Sequence, residues 1–311
     1  MATLGTGTRS ERIAALGFDY AAQPKSRVEH CNLCGGSAFI GLTHHDRYGY
    51  PASASGCMRC GLVFLDPVMT PAAYGDFYAR SYRPLVSAFH GRLIDARTIQ
   101  QEQREYAAER GDLLAHYVDR RGYATLLDIG GSTGVVADAF ARRFDLRATV
   151  VDPAPFETAE AQALGIETIE GLVEDVDLGS RQFDVIVLCQ TVDHLLDVTG
   201  TLRRLRHLIA PGGVLFVDIV DFRAAYLRHA SVEAAVKIDH PYYLVEATMT
   251  AYLQRAGFGI ARADYAADHL HVSYIAIPGR PQPDAVPPMD SVATMWREVR
   301  SIQNRPAASQ D

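Results

Sequence analysis

Lysine is nearly absent from this 311-residue chain: only Lys25 and Lys237 occur, so arginine carries almost all of the positive charge. Acidic residues outnumber basic ones 37 to 30, a net charge of −7. A protein that tracks a phosphate backbone usually carries the opposite surplus, so nucleic acid is disfavoured as a partner. Long apolar runs are missing too. No stretch approaches the roughly 18 uninterrupted apolar residues of a membrane span, and the start shows no basic-then-apolar segment ending in a small-residue cleavage site. The expected location is the cytoplasm, with no membrane contact. Five cysteines are too few for a secreted disulfide scaffold. What is present, 48% apolar and 22% charged residues, is ordinary globular composition and excludes collagen-like, disordered and coiled-coil chains. At about 150 residues per domain, the length predicts roughly two domains.

Four of the five cysteines sit within thirty residues, as Cys31-Asn32-Leu33-Cys34-Gly35 and Cys57-Met58-Arg59-Cys60-Gly61, with 22 residues between the pairs. A glycine after each pair lets the backbone turn so that N–H groups point at the sulfurs. Two such knuckles supply four thiolates to one tetrahedral ion, the pattern of a structural zinc site. Four sulfurs leave no open position for substrate, so the expected role is in folding. His44 and His45 then read as surface histidines, and Cys189, in an apolar run, as a buried inert thiol.

Periodicity divides the rest. Residues 1–26 show no sustained period and read as a loosely held arm, and 27–67 form the ribbon. Residues 68–120 are a helical linker or lid, with one or two helices from about Val86 to Val118. Residues 121–278 alternate short β-branched runs with amphipathic segments, which predicts βαβ units and a parallel sheet. A helix over Leu244 to Arg255 closes at Gly257. The runs Gly259 to Arg262 and Val272 to Ile277 lie too close for a helical crossover and must form an antiparallel hairpin. Residues 279–311 read as a flexible tail, interrupted by a weak helix near Ser291 to Ile302.

The first run of this region ends in Asp128-Ile129-Gly130-Gly131-Ser132-Thr133-Gly134 and passes straight into a helix. Glycines at such a turn let a ligand approach the backbone, and the helix start offers free N–H groups. The spacing is D-x-G-x-x-x-G, not the G-x-G-x-x-G of a dinucleotide site. Asp152 stands at the end of the second run, where a carboxylate accepts both hydroxyls of a ribose.

The motifs Asp128-x-Gly130-x-x-x-Gly134, Asp152, Phe183-Asp184-Val185-Ile186, Val192-Asp193-His194, Pro211-Gly212-Gly213 and Ala256-Gly257-Phe258 together resemble the class I S-adenosylmethionine-dependent methyltransferases. Ser132 replaces the usual middle glycine. The double knuckle followed by Gly61-Leu62-Val63-Phe64 and Tyr74-Gly75-Asp76-Phe77-Tyr78 resembles the subgroup acting on sugars and other natural products. The resemblance implies an α/β Rossmann-like sheet of strand order 3-2-1-4-5-7-6, strand 7 antiparallel, behind a small zinc ribbon. It implies S-adenosylmethionine held by Asp128, Gly130, Gly131, Gly134 and Asp152, with Leu172, Val173 and Glu174 flanking the adenine. Gln190 would lie near the sulfonium, and Tyr78 and Tyr82 would cover the cofactor.

Methyl transfer needs an aligned nucleophile and a base for its proton, and histidine is the side chain most readily tuned for that. His240, in Lys237-Ile238-Asp239-His240-Pro241-Tyr242-Tyr243, is the expected general base. Asp239 would orient it, Tyr243 line the pocket and His194 shape its floor. In the sugar C-methyltransferases that this segment resembles, a tyrosine and a glutamate stand where Lys237 and Asp239 stand here, and a large C-terminal domain follows, for which the 34 residues after Ile277 are expected to leave no room. The expected reaction is therefore transfer to a hydroxyl or amine of a sugar, nucleotide-sugar or other small natural product. Sugar C-methylation, methylation of ribosomal or transfer RNA, and a non-catalytic adaptor are the alternatives. Tyr226 and Arg228 are placed to touch an anionic carrier, His269 and His271 read as a solvated loop, and an oligomer is compatible with the sequence.

Overall fold

The computed structural model describes residues 7–119 and 121–304. The chain opens with α1 (Arg9–Ala14), capped reciprocally by Thr8 and Glu11, and β1 (Lys25–Ser26). The ribbon strands follow, β2 (Phe39–Thr43), β3 (Ala54–Cys57) and β4 (Val63–Leu65), and then β5 (Val68–Met69), which pairs back onto β1. Three helices come next, α2 (Pro71–Arg80), α3 (Tyr82–His90) and α4 (Gln100–Val118). The stretch expected to be helical from Val86 is thus two helices. Gly91, with φ of 69°, ends α3 in the left-handed conformation that a side chain disfavours.

The remainder runs β6 (Thr125–Ile129), α5 (Val135–Phe144), β7 (Arg147–Asp152), α6 (Pro155–Ala163), β8 (Glu167–Glu170), β9 (Phe183–Cys189), α7 (Val198–Leu208) and β10 (Ile209–Val220). It closes with α8 (Phe222–His229), β11 (Tyr242–Tyr243), α9 (Glu246–Ala256), β12 (Phe258–Tyr265), β13 (His271–Pro278) and α10 (Met289–Gln303). Seven strands form one sheet in the order β8-β7-β6-β9-β10-β13-β12. All neighbours pair in parallel except β13, which is antiparallel to both β10 and β12. Counted along the chain this is 3-2-1-4-5-7-6, the order expected. The central strands are buried on both faces, as in Val185, Ile186, Val187 and Leu188, so their sequence is a continuous apolar run.

Three features depart from the sequence reading. The arm is docked: Ile13 and Tyr20 are buried in one core with Met69 and Tyr74, and the Lys25 ammonium lies 4.2 Å from the Tyr20 ring centroid. Single anchors leave no period to detect. The ribbon is not self-contained, because β4 pairs with β11 (Tyr242↔Phe64, Tyr243↔Val63), a strand at the end of the expected catalytic segment. Nor does the tail hang free over its helix. Val292, Met295, Trp296, Val299 and Ile302 of α10 are buried, and the Trp296 ring covers the ribbon at Gly56, where any Cβ would collide with it. The ends 1–6 and 305–311 lie outside the described residues.

Candidate functional site

A cavity of 700 Å³ opens over the carboxyl ends of the parallel strands, where such sheets bind ligands. The β6–α5 turn forms its floor. Gly130 has φ of 70°, and a Cβ there would come within 2.5 Å of Thr191; one on Gly131 would approach Asp128 to 2.9 Å. Ser132 takes φ of 51° in spite of its side chain. Its N–H donates to Asp152 Oδ2 at 2.9 Å and its hydroxyl donates to Glu157, bonds that hold it in this strained conformation. Gly134 does not line the cavity. A Cβ there would lie 2.7 Å from that of Ala161, so this glycine lets α6 pack against the start of α5.

Two carboxylates mark the floor. Asp128 is fully buried, and among the described residues neither of its oxygens has a hydrogen-bond partner. Burial and then the neighbouring Asp152 push its pKa well above the usual carboxylate range. Burial, and next Glu157, push Asp152 up to about 7. Two proton-hungry acids beside a glycine turn fit a ligand carrying both a cationic group and a diol, which S-adenosylmethionine provides. Arg83 of α3 grips Glu157 with two bonds of 2.5 and 3.0 Å and so ties the lid to this corner. Leu172, Val173 and Glu174 line one end of the cavity, and Gln190, with φ of 56°, lines it at the end of β9.

His194, Tyr78 and Tyr82 line the cavity as well. His194 Nδ1 lies 3.0 Å from the Asp239 carbonyl and 2.9 Å from the Tyr78 hydroxyl, which itself donates to that carbonyl. A carbonyl only accepts, so Nδ1 carries the hydrogen and Nε2 keeps its lone pair. Burial, followed by the adjacent His240, pulls the His194 pKa down to about 4.

His240, Asp239 and Tyr243 do not line the cavity; they lie behind His194. The His240 ring packs edge-on against that of His194 at 4.4 Å between centroids. Its Nδ1 is 2.9 Å from Asp193 Oδ2 and its Nε2 is 3.0 Å from Lys237 Nζ. Asp239 accepts from Tyr48 at 3.1 Å, and the Tyr243 hydroxyl bonds both backbone groups of Lys237. This segment buttresses the site because pairing of β11 with the ribbon turns it away from the opening. Asp193, His194 and His240 are close enough to share a metal ion. Tyr226 is buried and donates to Glu298, while Arg228 donates to the Asp268 carbonyl, so neither is set for an anionic carrier.

The ribbon cysteines converge. Cys31 and Cys60 sulfurs are 3.5 Å apart, as are those of Cys34 and Cys57, and all four lie within 4.8 Å of one another. A tetrahedral zinc with Zn–S of about 2.3 Å requires S···S of about 3.8 Å. Gly35 and Gly61 take φ of 71° and 75°, and the Gly36 N–H points at Cys34 Sγ. The donor set fits one zinc ion.

Sequence reasoning missed Arg83, Gln103, Tyr106 and Arg110, all of which line the cavity. The last three are spaced by three and four along α4, and that helical stripe was the available signal.

A family model described as a methyltransferase domain matches residues 99–262, just over half of the chain, and the chain belongs to that family. Among curated relatives, the ubiquinone biosynthesis O-methyltransferase of Xanthomonas oryzae pv. oryzae is 28% identical over 172 residues, 53% of this chain and 71% of that enzyme. The enzyme of the same name from Methylocella silvestris is 32% identical over 97 residues, 29% of this chain and only 38% of its own length. The structure of mitomycin 7-O-methyltransferase aligns with a TM-score of 0.50 at 20% identity, covering 66% of this chain and 60% of that one, a likeness of fold.

Proposed function

We propose that this chain is an S-adenosylmethionine-dependent methyltransferase that acts on a hydroxyl of a small molecule. The observation that carries the reading is one cavity joining the unpartnered Asp128 and the ribose-type Asp152 to His194. The O-methyltransferase relatives support a hydroxyl acceptor. Among the described residues, nothing around the cavity singles out a sugar. When bound, the cofactor supplies a methyl group already activated on a sulfonium. Asp128 would meet its cationic end, Asp152 its ribose hydroxyls, and Leu172, Val173 and Glu174 its adenine. His194, neutral near pH 7, would accept a hydrogen bond through Nε2 and orient the acceptor. Asp193, His240 and Lys237 hold that ring in place, and Tyr78 and Tyr82 exclude water. The four cysteines hold zinc as a clamp on β4 and, through it, on β11.

Incubation with methyl-tritiated S-adenosylmethionine and matched phenol, alcohol, hexose and amine acceptors tests this. Label on hydroxyl oxygen is expected. Label confined to nitrogen or carbon would reject the hydroxyl reading.

A further inference from the structure

His194 can orient an acceptor, but with its basicity pulled so low it is a poor destination for a hydroxyl proton. Another histidine lining the cavity offers a better one. His271 opens β13 opposite Val220 of β10, and two residues on, Ser273 stands opposite Asp218, which in turn is opposite Cys189 of β9. Side chains alternate along a strand, so His271 shares a sheet face with Ser273. Tyr106 and Arg110 of α4 cover this region, with Tyr106 donating to Asp218 at 3.0 Å and the Arg110 guanidinium 3.5 Å from it. Tyr106, Arg110, Asp268 and His271 all line the cavity.

Within the hairpin loop, His271 Nδ1 lies 2.6 Å from Asp268 Oδ2. The other Asp268 oxygen accepts the N–H groups of Leu270 and His271 at 2.9 and 3.1 Å, which fixes the carboxylate. Burial alone would raise its pKa, but those N–H groups and the imidazole hold it at about 2. An ionised carboxylate only accepts, so Nδ1 carries the hydrogen. Among the described residues none bonds to Nε2, whose lone pair is free. A ring nitrogen oriented by a fixed carboxylate at the edge of a ligand cavity is the arrangement of a general base.

We propose that His271 is the base of the methyl transfer and Asp268 its positioning residue, a role that rests on the hydroxyl reading above. The acceptor O–H proton passes to His271 Nε2. The oxygen lone pair forms the new C–O bond, and the electron pair of the broken C–S bond stays on sulfur as a neutral thioether. The imidazolium, stabilised by Asp268, then releases its proton to water. The other charged or titratable groups around His271 are Asp218 on β10, Tyr106, Glu109 and Arg110 on α4, and Arg228 on α8 behind Asp268.

The test uses the full chain saturated with S-adenosylhomocysteine and para-nitrophenol, whose coloured phenolate reports its own deprotonation. Below the midpoint of the free dye, the complex is expected to raise the ionised fraction about tenfold, as when the dye's pKa falls by about one. His271→Gln should abolish the rise and slow label transfer to the dye by about 100-fold or more, with S-adenosylhomocysteine affinity unchanged as the control for folding. Asp268→Asn leaves the ring without its fixed carboxylate partner, so kcat should fall with KM for the dye little changed. A purely structural hairpin would leave the dye spectrum unmoved and would not split kcat from KM. An un-ionised dye in the wild-type complex, or His271→Gln behaving as wild type, overturns the assignment. Failure of the wild type to bind S-adenosylhomocysteine overturns the methyltransferase reading instead.

Discussion

Replacement of Arg83 by methionine would test the charge arrangement around the ribose corner. Arg83 lays Nε and Nη2 against the two oxygens of Glu157 at 2.5 and 3.0 Å, with side chains 25% and 7% exposed. Methionine keeps the apolar stem and removes the fork, leaving the Glu157 charge, among the described residues, with only the Ser132 hydroxyl, beside buried Asp152. Removing one partner of a fully buried pair costs about 3–5 kcal/mol. A quarter of the arginine is wet, so solvent screens part of this and the expected loss is about 2 kcal/mol, or about 3 °C in Tm for a chain of this length. Asp152 also loses the guanidinium that opposes the upward push on its pKa. Its carboxyl should then be more fully protonated near neutrality, weakening S-adenosylhomocysteine about tenfold if its pKa climbs by about one. Urea unfolding and calorimetry read the two effects. Arg83→Lys, which restores charge without the fork, should recover about half of the stability. A loss under about 0.5 kcal/mol with unchanged affinity would show a solvent-screened pair and refute the reasoning.

Three further outcomes are expected. Metal analysis of protein purified without chelator should find one zinc per chain, and Cys57→Ser should lose it and lower Tm; equal stability with and without metal would contradict the clamp. Gly56→Ala should drive Trp296 off the ribbon at a cost of about 3 kcal/mol, and because Trp296 is the only tryptophan its emission should shift to the red. Burial pushes Asp46, like Asp152, up to about 7 from an ordinary value of 3.8. Between those values the unfolded carboxyl is ionised while the folded one is not, so stability present below about pH 4 is lost as pH rises through 7. The ligand-free chain should therefore be more stable near pH 5 than near pH 8 by a few kcal/mol, and a flat stability profile would refute the assigned burial.

The sheet was legible because each step of its order leaves a local mark: the continuous apolar run of β9, the glycine turn after β6, and a β12–β13 connection too short for a helix. The cysteine knuckles were legible for the same reason. The docked arm was not, since Tyr20 and Ile13 are isolated anchors without a period. His240 was misplaced relative to the cavity because two residues at β11, Tyr242 and Tyr243, pair with the ribbon far away in sequence and pull the segment behind His194. His271 looked like a solvated loop histidine since its importance depends on α4, which closes the same cavity from more than 150 residues upstream. Long-range pairing decides which polar residues face a cavity, and composition does not encode it.

The central claim is that the Gly130–Gly131–Asp152 floor binds the cofactor, and titration calorimetry of S-adenosylhomocysteine into wild type and Asp152→Asn tests it most directly. The account predicts one site per chain in the wild type, with affinity that rises as pH increases through 7 and the carboxylate ionises. It predicts weaker binding without that pH dependence in Asp152→Asn. No heat of binding in the wild type, or equal affinity and pH dependence in the two proteins, would contradict it.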